Sequence, residues 1–238
     1  MRRFLVVCTV ALALLGIGAS LEHLIVGDHY NPGFVEHPGL MRAHVILGAV
    51  YLSLALPQFL PGLRARRPRL HRAFGRIAVA AGFVAGLSAV VIGIAFPFSG
   101  VSETAITLPF ALLFLVSLGR GLWLARARRF AKHREWMIRA LAVGTSIATM
   151  RLVFVPALLL LGEPSDERAR ELSTPSFAIA FALHLAVAEY WIRRTRRGPS
   201  GSALLEHEGE LVSAEPEAVA VLQLHPAGVG VEVAQLEA

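Results

Sequence analysis

A single cysteine in 238 residues excludes an internal disulfide and any cysteine-rich metal site, because one thiol has no partner. Cys8 falls in an apolar run, where packing against core or lipid accounts for it. Charge is scarce too. Asp, Glu, Lys and Arg make up 17% of the chain against 55% hydrophobic residues, a balance outside the range of soluble domains. Alternation of apolar and polar residues over segments of about ten is missing, which excludes a membrane β-barrel. There is no internal repeat beyond two similar basic segments.

Apolar length is what the chain has in quantity. A bilayer is crossed by about 20 mainly apolar residues, and six such runs are present, at roughly 4–20, 40–60, 77–98, 106–125, 137–161 and 175–192. The fold class this implies is all-α, a polytopic membrane helical bundle of six transmembrane helices over residues 1–197.

Charge sets the orientation, since arginine and lysine collect on the cytoplasmic side. Arg2 and Arg3 precede the first run. Arg64, Arg66, Arg67, Arg69, Arg72 and Arg76 separate runs two and three. Arg126, Arg128, Arg129, Lys132 and Arg134 separate runs four and five, and Arg193, Arg194, Arg196 and Arg197 come after run six. The other connections carry Glu22, Asp28, Glu36, Glu103, Glu163, Asp166, Glu167 and Glu171, with only Arg42, Arg168 and Arg170 among them. Both termini are therefore expected to be cytoplasmic, in a multi-pass protein of the cell inner (plasma) membrane. The net charge of +6 is read the same way. These arginines lie in short connections at membrane edges, where anionic lipid headgroups are the partners, and nucleic acid is not. The opening MRRFLVVCTVALALLGIGAS also has the form of a signal peptide. Cleavage near Ser20 would leave five spans, and an uncleaved first helix is the reading adopted.

From residue 198 the composition turns acidic, with seven glutamates and no Lys or Arg. Residues 198–238 are read as a disordered cytoplasmic tail, which offers acid to the basic segments or to a protein partner. In the third run Ala78, Gly82 and Gly86 form a small-residue stripe that lets helices approach closely. Pro57 and Pro156 fall within runs two and five and are expected to kink them.

Ionisable groups at membrane depth face the protein interior or a wet cavity. His44 lies about one turn into the second run. Arg151 lies some fifteen residues into the fifth, about 22 Å from its start at 1.5 Å per residue. His184 is near the middle of the sixth run, with Glu189 about one turn further on. Arg120 is in the last part of the fourth run and Arg139 opens the fifth. Each has two readings. Arg151 is a tether for carbonyls freed near Pro156, or an anion site shared with His44. Glu189 is an ion pair with Arg139 or Arg120, or part of a polar path. His184 is a hydrogen-bonded packing residue, or a cavity ligand. Trp123, Trp136, Tyr190 and Trp191 fit an interfacial belt.

Two segments stand apart: RPRLHRAFGR, with His71, and RRFAKHREWMIR, with His133. Both histidines begin a helix from the same side, so they share a depth. If those helices neighbour one another, the pair suits bis-histidine ligation of a b-type haem. Arg67, Arg72 and Arg134 would take the propionates, and Trp136 and Phe74 would cover the ring. The other reading makes both histidines interfacial residues among lipid-binding arginines.

His44 with Gly48, the stretch PQFLPGLRARRPRLHRAFGR, the stretch AKHREWMIRALAVG and Arg151 in TMRL together resemble a bacterial family of predicted membrane proteins, domain of unknown function 2306. The resemblance covers residues 40–192 or so. Matching positions are Gln58, Phe59, Arg64, His71, Arg72, Gly75, Arg76, His133, Trp136, Met137 and Arg139, besides His44 and Arg151. It implies a multi-helix integral membrane protein with recurrent histidines and no established activity. The layout is similar to two-haem membrane cytochromes of the b561 type, which pair histidines on alternate helices. This chain departs from that plan, because the fourth run has no histidine to partner His44, and His184 is the only spare.

Three functions stand as expectations: a haem-binding electron-transfer protein; a transporter or small-ligand binder using His44, Arg151 and His184; or a non-catalytic membrane component binding lipid or a partner protein.

Overall fold

A computed structural model describes residues 2–26, 36–161 and 165–196. The expected tail, 198–238, lies outside the described residues. The described residues up to Arg194 fall in one compact unit, and its helices make the bundle. Among the described residues all regular structure is helical: α1 (Arg2–Val26), α2 (Pro38–Ala55), a 3₁₀ turn (Leu56–Phe59), α3 (Pro61–Arg66), α4 (Pro68–Ala95), α5 (Val101–Arg126), α6 (Phe130–Leu160) and α7 (Asp166–Arg196). Helix is what these runs must form in hydrocarbon, where every backbone N–H and C=O needs an internal partner. Prolines open α2, α3 and α4 at their first turns, where the missing N–H costs nothing.

Among the described residues, five helices are long and apolar enough to cross a membrane: Pro38–Phe59, Pro68–Ala95, Val101–Arg126, Phe130–Leu160 and Asp166–Arg196. The first run is shorter, with an apolar stretch of Val7–Leu21. Two further differences from the sequence reading have simple causes. Helix α2 stops at Ala55 and Pro57 sits in the 3₁₀ turn, so Pro57 ends the helix where a kink was expected; its ring cannot follow an α-helical carbonyl. Helix α4 starts at Pro68, nine residues before the apolar run does, because arginines are good helix formers.

Packing puts α2, α4, α5 and α6 in a four-membered ring: α2 packs on α4, α4 on α5, α5 on α6 and α6 back on α2. Helices α4 and α6 are thus diagonal partners. Helix α1 lies against α2 and α6. Helix α7 packs on α5 through Phe181, stacked on Phe110 at 4.5 Å between centroids. Near the start of α5 the buried Glu103 accepts from the Ser99 N–H at 3.0 Å and from Ser173 Oγ on α7 at 3.1 Å. This carboxylate in the first turn is favoured by the helix dipole and satisfies the backbone N–H of Ser99, just before the helix.

The expected small-residue stripe is present, with Ala78, Gly82 and Gly86 buried on α4. A Cβ at Gly86 would stand 2.7 Å from Leu115 Cδ2 of α5. At the centre of the ring is Tyr51, 4% exposed, with its edge toward Phe114 at 5.1 Å. It fills the gap between Gly82 on α4 and Gly144 on α6.

Candidate functional site

His71 and His133 occupy equivalent places. Each is the fourth residue of its helix, α4 or α6, and each precedes by eleven residues the glycine that touches Tyr51. The two helices start at the same arginine-rich end and run in the same direction. Because one tyrosine ring touches both glycines, the glycines are level, and eleven residues of helix, about 16 Å, bring both histidines to one depth. Their helices are diagonal across the ring, so the bundle interior lies between them. His71 is within electrostatic reach of His133, and also of Arg64 and Arg72.

The tight α5–α6 connection sets His133. Arg129 N–H donates to the Leu124 carbonyl at 2.9 Å and Arg128 takes a positive φ of 56°, the left-handed close of a helix C-terminus that glycine usually supplies. The chain reverses within three residues, and His133 comes back beside α5. Its Nδ1 lies 2.7 Å from the Gly121 carbonyl. A carbonyl only accepts, so Nδ1 carries the proton and Nε2 holds the lone pair. This is the arrangement in which a backbone carbonyl orients a metal-ligating imidazole. The close crossing uses Gly121, where a Cβ would strike the end of the Met137 side chain at Cε. His71 differs, since its Nδ1 is buried without a hydrogen-bond partner. Gln58, from the 3₁₀ turn, lies against Gly75 one turn further along α4.

The remaining sequence candidates divide. Arg72 is exposed and near His71, joined there by Arg64, and Arg67 is exposed at the α3–α4 junction, where its carbonyl accepts from the His71 N–H at 3.0 Å. Arg134 is exposed next to His133. Trp136 is half-buried between two guanidinium groups, Arg139 at 4.8 Å and Arg120 at 5.8 Å from the ring centroid. Arg139, not Arg120, takes Glu189: Nε to Oε1 is 2.5 Å and Nη2 to Oε2 is 3.1 Å. The fork-on-carboxylate geometry explains the choice.

That pair carries a prediction. Its side chains are only 16% and 31% exposed, so both charges are largely desolvated. Glu189→Leu strands the Arg139 charge and should cost up to about 3 kcal/mol. Replacing both, Arg139→Met with Glu189→Leu, should recover most of that loss in denaturation measured in mild detergent. A double variant less stable than either single one would show that the pair is more than self-neutralising.

The intramembrane groups are spread over separate interfaces. His44 places Nδ1 3.0 Å from both the Ala85 carbonyl and Ser88 Oγ of α4. His184 of α7 meets α6, with Nδ1 3.2 Å from Thr145 Oγ1 and Nε2 2.7 Å from Thr149 Oγ1. Arg151 is half-buried on α6. Thr145, Thr149, Ser88 and Gly121 join the candidates only through the structure, while Arg64, already one of the positions matching the family pattern, gains its place near His71. The threonines' four-residue spacing on one helix was the available signal. Among the described residues no three His, Cys, Asp or Glu side chains converge on a metal site.

Long apolar helices ringed around a packed core define an integral, multi-pass membrane protein. The chain belongs to the family described as Predicted membrane protein (DUF2306), whose family model matches residues 41–192. No curated protein and no solved structure gives a match.

Proposed function

We propose that this is a b-type cytochrome of the cell inner membrane. It would have six spans and cytoplasmic termini, and would transfer electrons through one haem held between His71 and His133. One observation carries the reading: two histidines level with each other on diagonal helices, one with Nδ1 anchored to a carbonyl and the other with a buried Nδ1 left unpartnered. Bundle cores are where helical proteins build such sites. The donor set fits, because two imidazoles complete an iron already held by a porphyrin, whereas a bare metal ion would need more ligands than are present.

Haem supplies one-electron chemistry when bound. The chain's own residues do the rest. The Gly121 carbonyl fixes the tautomer of His133. Arg67, Arg72 and Arg134 offer charge to propionates, and Arg64 stands near His71 beside them. The arginines hold positive potential beside the pair, which favours the electron-rich form. The alternative, a transport path through the intramembrane polar groups, is weaker. Both nitrogens of His184 are engaged by threonines, and Arg139 and Glu189 neutralise each other.

Absorption spectroscopy tests the proposal. Protein purified from haem-sufficient cells should show a Soret band, and sharpened visible bands after reduction with dithionite. A colourless preparation that stays colourless after incubation with haemin would overturn it.

A further inference from the structure

Once Glu189 is given to Arg139, Arg120 is left over. It lies six residues before the end of α5, about 9 Å inward at 1.5 Å per residue. Its side chain is exposed, and on the outside of a membrane bundle that means toward lipid. Its guanidinium lies 5.5 Å from the Trp123 ring centroid and 5.8 Å from that of Trp136. Arg139 approaches the same Trp136 ring at 4.8 Å, so one indole faces two cations. The charge of Arg139 is matched by Glu189. Among the described residues no carboxylate forms an ion pair with Arg120.

A cation at this depth on the lipid side calls for an anion, and the anion that lipid supplies there is phosphate. A guanidinium presents a planar fork that binds phosphate through two N–H groups. Trp123, 51% exposed, puts an amphipathic ring at headgroup level, where tryptophan is favoured. We propose that Arg120, Trp123 and Trp136 form a seat for the headgroup phosphate of an anionic phospholipid. The seat faces outward and does not depend on haem.

Tryptophan quenching by brominated lipid tests this. The chain has three tryptophans, so a Trp191→Phe background restricts the signal to the two in the seat. The full-length protein is placed in phosphatidylcholine vesicles containing a minority of phosphatidylglycerol, with bromine on one lipid or the other. Phosphatidylglycerol should associate about fivefold more strongly than phosphatidylcholine, the gain one arginine gives at a charged membrane surface. Arg120→Gln should bring the ratio close to one, while Arg126→Gln, at the end of the same helix, keeps most of it. Native mass spectrometry of the wild-type chain is a second readout, independent of any variant, and should retain phosphatidylglycerol in preference to phosphatidylcholine. Equal quenching by the two lipids in the wild type overturns the proposal. So does loss of the preference on adding millimolar inorganic phosphate, which would make this a free-anion site.

Discussion

His133→Ala and His71→Ala should each abolish the Soret absorbance, lowering haem occupancy at least about a hundredfold, beyond what loss of an outer-shell partner costs. The two substitutions are unequal in what else they remove. His133→Ala deletes one hydrogen bond, to Gly121, worth about 1 kcal/mol. His71→Ala deletes none at Nδ1, which has no partner to lose. Both variants should therefore fold, and His71→Ala should be no less stable than the wild type without haem. If the histidines are only interfacial residues among arginines, the spectrum survives either change. A Soret band of full height in His133→Ala protein of normal helix content would end the haem proposal.

The second large effect is mechanical. A Cβ at Gly82 would stand 2.9 Å from Tyr51 Cδ2 and 2.9 Å from Leu118 Cδ1, and one at Gly144 would stand 2.8 Å from Tyr51 Cε1. The tyrosine ring is pinched from both diagonal helices and cannot move from one without striking the other. Gly82→Ala and Gly144→Ala should each cost about 1–3 kcal/mol, the usual penalty for overfilling a packed core. Because they compete for one ring, the double variant should cost more than the sum. Tyr51→Ala costs about 3–5 kcal/mol alone through the cavity it leaves, yet should make either glycine substitution nearly neutral. Chemical denaturation in micelles measures all six variants. Additivity within about 0.5 kcal/mol would show that the ring relaxes freely and that the wedge does not exist.

Much of this was legible in the sequence. Five of the six apolar runs reappear as helices long enough to cross a bilayer, since hydrocarbon leaves the backbone little choice. The stripe of Ala78, Gly82 and Gly86 was readable as a packing face because its four-residue spacing is a property of the helix itself. Partner choice was not readable. Glu189 had two candidate arginines on different helices, and only the approach of α6 to α7 selects Arg139. Nor was the hydrogen bond from His133 to Gly121, which arises from a three-residue reversal with Arg128 in a left-handed conformation that composition does not announce. Pro57 misled for a related reason. A proline inside an apolar run ends a helix or bends it according to the residues on its C-terminal side, and here those residues form a 3₁₀ turn and a second short helix.

The Tyr51 wedge has a consequence remote from where it sits. It works as a height gauge for both histidines, since each is counted from a glycine resting on the same ring. If α4 alone slid by one residue, His71 would shift about 1.5 Å along the axis and swing about 100° around it, and would no longer stand level with His133. The alignment at one end of the bundle is thus calibrated near its middle.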